Sequence, residues 1–260
     1  MTQVVSPLVG LLGLLVGSFL NVVVWRVPRG ESVVSPPSAC PGCGHAIRPR
    51  DNVPVLSWLL LHGRCRDCGA TISSRYPLVE FATAVLFGLT AWRLGLVWEL
   101  PAYLYLAAIA VALTMIDIDV RRLPNAIVLP SYVVAAVLLL LPAVATGEWH
   151  AYLRALLGAA VLFAGFFALA FAYPAGMGFG DVKLAGVLGL YLGWLGWGEL
   201  AVGAFLGFLL GGVWGVALLV ARRAGRKSAI PFGPFMLGGA LLAVFVGGAV
   251  SQAYVGLLVA

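Results

Sequence analysis

Apolar runs broken by short polar punctuation dominate the chain. The first spans Pro7 to Trp25 and ends at "RVPRG"; no basic leader segment and no small-x-small cleavage site precede those charges, which reads as a retained helix. A polar stretch follows from Arg26 to Tyr76, rich in Pro, Gly, Cys and Arg. Seven further runs come after it, at about Leu78–Thr90, Leu100–Ile116, Ala126–Val144, Tyr152–Tyr173, Val182–Trp197, Leu200–Val220 and Phe235–Val259. Crossing a bilayer takes about 20 apolar residues in a helix, and these runs approach or exceed that. The pattern predicts an all-α polytopic membrane protein of about eight transmembrane helices. Its parts are a first helix at 1–25, a small cytoplasmic domain at 26–76 and a seven-helix membrane core at 77–260. Small-x-x-x-small spacings, as in "GAFLGFLLGGVWG", suit close helix packing in lipid.

Composition excludes the soluble alternative. The chain is 62% hydrophobic and 10% charged, against about 25% charged in soluble domains. Placing the Arg26–Tyr76 stretch in the cytoplasm and alternating from there puts all of the 16 Lys and Arg inside except Arg93 and Arg154. This is a strong positive-inside bias. It sets both termini on the outer face and makes the net charge of +6 a topology signal that needs no nucleic acid. The basic inner face suits anionic membrane lipid.

Two carboxylates stand out against this background. Asp117 ends the third run, in "LTMIDIDVRRLPN", and Asp181 begins the sixth, in "MGFGDVKLAG". The alternation places both at the cytoplasmic face. Ionisable groups near hydrocarbon are costly and mark functional sites. A close pair of carboxyls shares one proton, so the charged member can activate water while the protonated member donates to a carbonyl oxygen. Gly176, Gly178 and Gly180 would let the chain leave helical geometry and approach a substrate closely, and Pro124 would turn the chain into the fourth crossing. Asp119 would point elsewhere, toward the wet rim. On these residues alone, protease chemistry and a transporter's proton relay stand level, beside a plain helix-capping role for Asp181.

All four cysteines lie in the polar stretch, in "CPGCGH" (Cys40, Cys43) and "CRDCGA" (Cys65, Cys68). Two C-x-x-C pairs at this separation predict a tetrahedral thiolate zinc site. Four protein ligands leave no open position, so the metal would be structural. A reducing cytoplasm favours metal over disulfides. His45 and His62 read as surface residues.

The segments "GLLVGSFLNVVVWRVP", "CPGCGHAIRPRDNVPVLSWLLLHGRCRDCGATISSRYPLVE", "IDIDVRRLPN", "GFGDVKLAG" and "IPFGPFMLGG" together resemble bacterial type IV prepilin leader peptidases, over nearly the whole length. The resemblance implies a GxGD-type intramembrane aspartic endopeptidase of the bacterial inner membrane, working at its cytoplasmic face. Asp117 and Asp181 match the catalytic aspartates and Asp119 a non-catalytic companion. Implied partners are type IV prepilins and type II secretion pseudopilins, cut after the leader Gly, usually before a Phe. The intact cysteine pairs imply the family's second activity, N-methylation of the freed amine with S-adenosylmethionine. No glycine fingerprint assigns the methyl-donor site. Gly17, Asn21 and Arg26 are candidates for it, with helix packing and interfacial anchoring as their alternative.

Overall fold

A computed structural model describes residues 2–174, 176–223 and 230–259. Among the described residues it is helical, with no strand and two isolated β-bridges, Ala39–Ala46 and Arg64–Thr71. The helices are α1 (Thr2–Arg26), a short α2 (Leu56–Leu60), α3 (Arg75–Leu94), α4 (Leu100–Val120), α5 (Asn125–Thr146), α6 (Trp149–Ala172), α7 (Phe179–Leu195), α8 (Trp197–Val220) and α9 (Gly233–Val259).

Seven of these, all but α2 and α7, are long and apolar enough to cross a membrane. The sixth expected crossing is α7, 17 residues long, or about 25 Å. It is apolar all round and buried almost continuously from Val182 to Trp194, as expected of a helix enclosed by others. The basic "ARRAGRK" segment runs from Ala221 into 224–229, outside the described residues.

The chain divides into two compact units, Met1–Leu100 with Ala107–Ala112, and Pro101–Leu106 with Leu113–Ala260. In the first, α1 lies on α3 through small residues. A Cβ at Gly13 would sit 2.7 Å from the Ala84 Cα, and one at Gly17 would sit 2.7 Å from the Glu80 Cα. In lipid such backbone contact replaces the hydrophobic drive that water would supply.

In the second unit, α6 and α7 meet the same way. A Cβ at Gly158 would fall 2.6 Å from the Gly189 carbonyl oxygen, and one at Gly189 would fall 2.7 Å from the Ala159 Cα. The end of α7 would leave unpaired carbonyls. Arg154 on α6 covers them, donating from Nε to Gly193 O at 2.7 Å and from Nη2 to Trp194 O at 2.6 Å and Leu195 O at 3.2 Å.

Candidate active site and metal centre

The second unit brings Asp117 and Asp181 together. Asp117 lies in the last turn of α4 and is 5% exposed. Its carbonyl accepts the Arg121 N–H at 2.9 Å, and Arg121 adopts φ 52°, which ends the helix. Residues 121–124 form the connection, and Pro124, extended at ψ 131°, caps the start of α5. The turn is the one Pro124 predicted.

Asp181 sits in the first turn of α7. Its Oδ2 accepts the Gly178 N–H at 3.1 Å, and its own N–H donates to the Gly178 carbonyl at 3.0 Å. The aspartate therefore caps its helix, and it lies in the neighbourhood of Asp117. The two roles are compatible, because capping engages one oxygen.

Two residues that the sequence pattern did not single out set this arrangement. Gly233, the first residue of α9 in "IPFGPF", donates its N–H to Asp117 Oδ2 at 3.0 Å. A Cβ there would stand 2.7 Å from that oxygen and 3.2 Å from Leu123 Cδ2. Leu123, from the α4–α5 connection, also faces Gly180, where a Cβ would stand 3.2 Å from Leu123 Cβ. One leucine thus packs on the glycine before Asp181 and on the glycine that holds Asp117. A Gly-Pro pair opening an apolar run is the signal that could have drawn attention to Gly233. Gly178 has an ordinary extended backbone, φ −76° and ψ 148°, and a Cβ there would meet nothing closer than Asp181 Oδ2 at 3.4 Å, so of the two glycines in the GFG segment only Gly180, inside α7, is closely packed.

Asp119 is exposed, away from the buried Asp117. Lys183, two residues after Asp181, turns to α5: its Nζ donates to Asn125 Oδ1 at 2.7 Å and lies 4.9 Å from the centre of the Phe179 ring. Tyr132 of α5 donates to the Lys183 carbonyl at 2.7 Å. These bonds tie the start of α5 to the start of α7 and steady the turn that carries Asp181.

In the first unit the four cysteine sulfurs lie within 4.8 Å of one another. Tetrahedral zinc, with Zn–S about 2.3 Å, holds its sulfurs about 3.8 Å apart; Cys40 and Cys68 Sγ are 3.8 Å apart. The two knuckles repeat each other. Gly44 N–H donates to Cys40 O at 2.8 Å and Gly69 N–H to Cys65 O at 2.9 Å, with φ of 73° and 71° at the glycines. Backbone N–H groups of Gly42 and Cys43 draw the Cys40 thiol down to about 7. Cys43 is favoured as thiolate by the His45 N–H, yet burial and the other sulfurs push it up to about 12. Four sulfurs at this spacing, carried on two matched knuckles, fit a structural zinc. His45 and His62 are exposed.

Gly17, Asn21 and Arg26 are engaged within the chain. Gly17 packs on Glu80, Asn21 Nδ2 donates to Tyr76 O at 3.2 Å, and Arg26 donates to Ser32 O at 2.9 Å and Pro36 O at 2.7 Å.

Residues 11–94 match the Bacterial Peptidase A24 N-terminal domain and residues 104–216 match the Type IV leader peptidase family. The chain belongs to the type IV leader peptidase family. Proteins named prepilin leader peptidase/N-methyltransferase are similar to it throughout. The one from Pseudomonas aeruginosa is 38% identical over 94% of this chain and 91% of its own length. The one from Aeromonas hydrophila is 37% identical over 95% and 92%, and the one from Neisseria gonorrhoeae 38% over 88% and 86%. No solved structure matches the chain significantly.

Proposed function

We propose that this family member is a prepilin leader peptidase and N-methyltransferase. It cleaves type IV prepilins and type II secretion pseudopilins after the leader Gly and then methylates the new N-terminal residue. The observation that carries the reading is that the end of α4 with Asp117 and the start of α7 with Asp181 are packed on one residue, Leu123, and on Gly233, in a chain whose relatives over nearly their full length bear that name. Asp117 and Asp181 are the catalytic pair. The ionised carboxylate takes a proton from water as the water oxygen attacks the scissile carbonyl carbon. The protonated partner gives its proton to the carbonyl oxygen. Collapse of the resulting gem-diol breaks the C–N bond, and the leaving amine takes a proton from the dyad. The Gly233 N–H holds one oxygen of Asp117 throughout.

The enzyme sits in the bacterial inner membrane with the dyad facing the cytoplasm. The positive-inside charge distribution supports this orientation. The prepilin's apolar helix lies in the bilayer and its basic leader stays in the cytoplasm, so water reaches the scissile bond from that side.

Cys40, Cys43, Cys65 and Cys68 hold a structural zinc. S-adenosylmethionine supplies the methyl group. An α-amine has a pKa of about 8, so a useful neutral fraction exists at cytoplasmic pH, and the protein's contribution is chiefly alignment.

Purified enzyme in liposomes with a prepilin tests both steps. Mass spectrometry separates uncut, cut, and cut-plus-methyl products. Cut but unmethylated product in the presence of S-adenosylmethionine would reduce the reading to a peptidase alone. An uncut substrate with a correctly inserted enzyme would refute it.

A further inference from the structure

The polar stretch between α1 and α3 contains a short apolar segment, "VPVLSWLLL" from Val53 to Leu61. Its exposure runs opposite to that of a soluble loop. Leu56, Leu59 and Leu60 are 56%, 55% and 72% exposed, whereas the one hydroxyl, Ser57, is buried. That hydroxyl is fully used: it donates to Arg50 O at 3.1 Å and accepts the Val53 N–H at 3.0 Å. The Trp58 indole N–H is likewise turned inward, to Ile72 O at 3.0 Å. Polar groups satisfied inside and leucines outside is the arrangement lipid demands.

Depth supports the same conclusion. The Val55 N–H donates at 2.7 Å to Glu80 Oε2. Glu80 is 8% exposed and also takes a hydrogen bond from the Ser18 side chain. It belongs to the spanning helix α3, which begins at Arg75. Five residues of helix rise about 7.5 Å, and the seven residues from Ser18 to Trp25 on α1 rise about 10 Å. At the end of α1, Trp25 and Arg29 form an interfacial pair, the guanidinium 3.6 Å from the ring centre. Measured along either helix, the backbone of Glu80 and of Ser18 therefore lies inside the level of Arg75 and of the Trp25–Arg29 pair, and the 53–61 segment reaches the Glu80 carboxylate from the basic end of these spanning helices. Val55 takes φ 61°, an uncommon conformation for a β-branched residue, at the point where the segment meets Glu80.

We infer that residues 53–61 are a re-entrant segment inserted into the bilayer leaflet at the basic ends of α1 and α3. Its occupant is phospholipid acyl chain, packed on Leu56, Leu59 and Leu60. Glu80 and Ser18 hold the segment at that depth through the Val55 amide. This rests on the membrane reading of the helices alone and is independent of the peptidase assignment.

The test is site-specific photocrosslinking of the full chain in nanodiscs. A benzophenone amino acid is placed at Leu60, with the exposed α3 residue Leu78 as lipid-facing reference and the exposed loop residue Val34 as aqueous reference. The Leu60 position should yield phospholipid adducts within about twofold of Leu78 and several-fold above Val34. Adduct yield at the Val34 level would overturn the inference. So would crosslinking chiefly to a second copy or to added prepilin. If the Leu60 variant does not fold, the probe at Leu59, judged against the same two references, decides between the same outcomes. Glu80→Gln, which weakens the tie to Val55, should lower the lipid adduct yield at Leu60 and leave that at Leu78 unchanged.

Discussion

The cysteine cluster and the aspartate pair are built on opposite plans. The cluster comes from two short knuckles, each closed by its own backbone bonds, Gly44 to Cys40 and Gly69 to Cys65. Within each knuckle, spacing fixes the geometry. The aspartate pair has no local unit. Its members end one helix and begin another far along the chain, and their approach depends on Leu123 between Gly180 and Gly233 and on one N–H from a third helix. A site made of repeated turns tolerates change elsewhere in the protein, provided the two knuckles keep facing each other. A site made of helix ends is sensitive to any residue that shifts those ends.

The largest effects should come from the dyad. Asp117→Asn and Asp181→Asn should each lower leader cleavage by at least about 100-fold, the lower range for loss of a general acid or base, while Asp119→Asn keeps most activity. Gel-shift assay of a purified prepilin reads this. Substantial cleavage by either of the first two variants, correctly inserted, would remove that residue from the mechanism.

Next is the contact that no spacing reveals. Gly233→Ala places a methyl group 2.7 Å from Asp117 Oδ2, and displacement of a catalytic group by about 1 Å can cost on the order of 100-fold. The drop should fall on kcat more than on KM, with membrane insertion unchanged. Wild-type kcat in this variant would show that the Gly233 N–H does not position Asp117.

The reverse behaviour is expected of the cluster. Cys40→Ser with Cys43→Ser should lose the metal and impair methylation more than cleavage. Wild-type protein should carry one zinc per chain with sulfur-only ligation, by metal analysis and X-ray absorption spectroscopy. Normal methylation by the double variant would break the proposed division of labour, as would its failure in both reactions while well folded.

The smallest effect concerns the ion pair beside the knuckles. Arg66 hydrogen-bonds Asp51 at 2.7 Å and holds its carboxyl below the usual range. The stabilisation is present above the unfolded carboxylate's pKa of about 4 and is lost as pH falls through the lower folded value. The melting difference between wild type and Asp51→Asn should therefore be full above about pH 5 and shrink toward about pH 3. It should be small, because the pair is solvent-exposed on its Arg66 side. A difference that grows in acid would contradict the sign.

Much of this architecture was legible in the chain itself. The apolar runs anticipated the long helices, with α7 displaced by a few residues because Gly196, extended at φ 167° and ψ 167°, separates it from α8. C-x-x-C spacing anticipated the sulfur cluster, and Pro124 the α4–α5 turn. Composition alone excluded a soluble fold. Composition aside, these features are built from local patterns of residues a few positions apart, where hydropathy, ring closure and turn geometry act; only the meeting of the two knuckles joins segments farther along the chain. Only the tertiary structure decided that Gly233 holds Asp117, that Leu123 spaces the two glycines, that Arg154 covers the end of α7, and that Glu80 accepts the Val55 N–H. Each of these is one hydrogen bond or one van der Waals contact between segments distant in sequence. Any glycine or leucine of an apolar run satisfies the pattern equally well, and packing against a particular neighbour is what selects the one that matters.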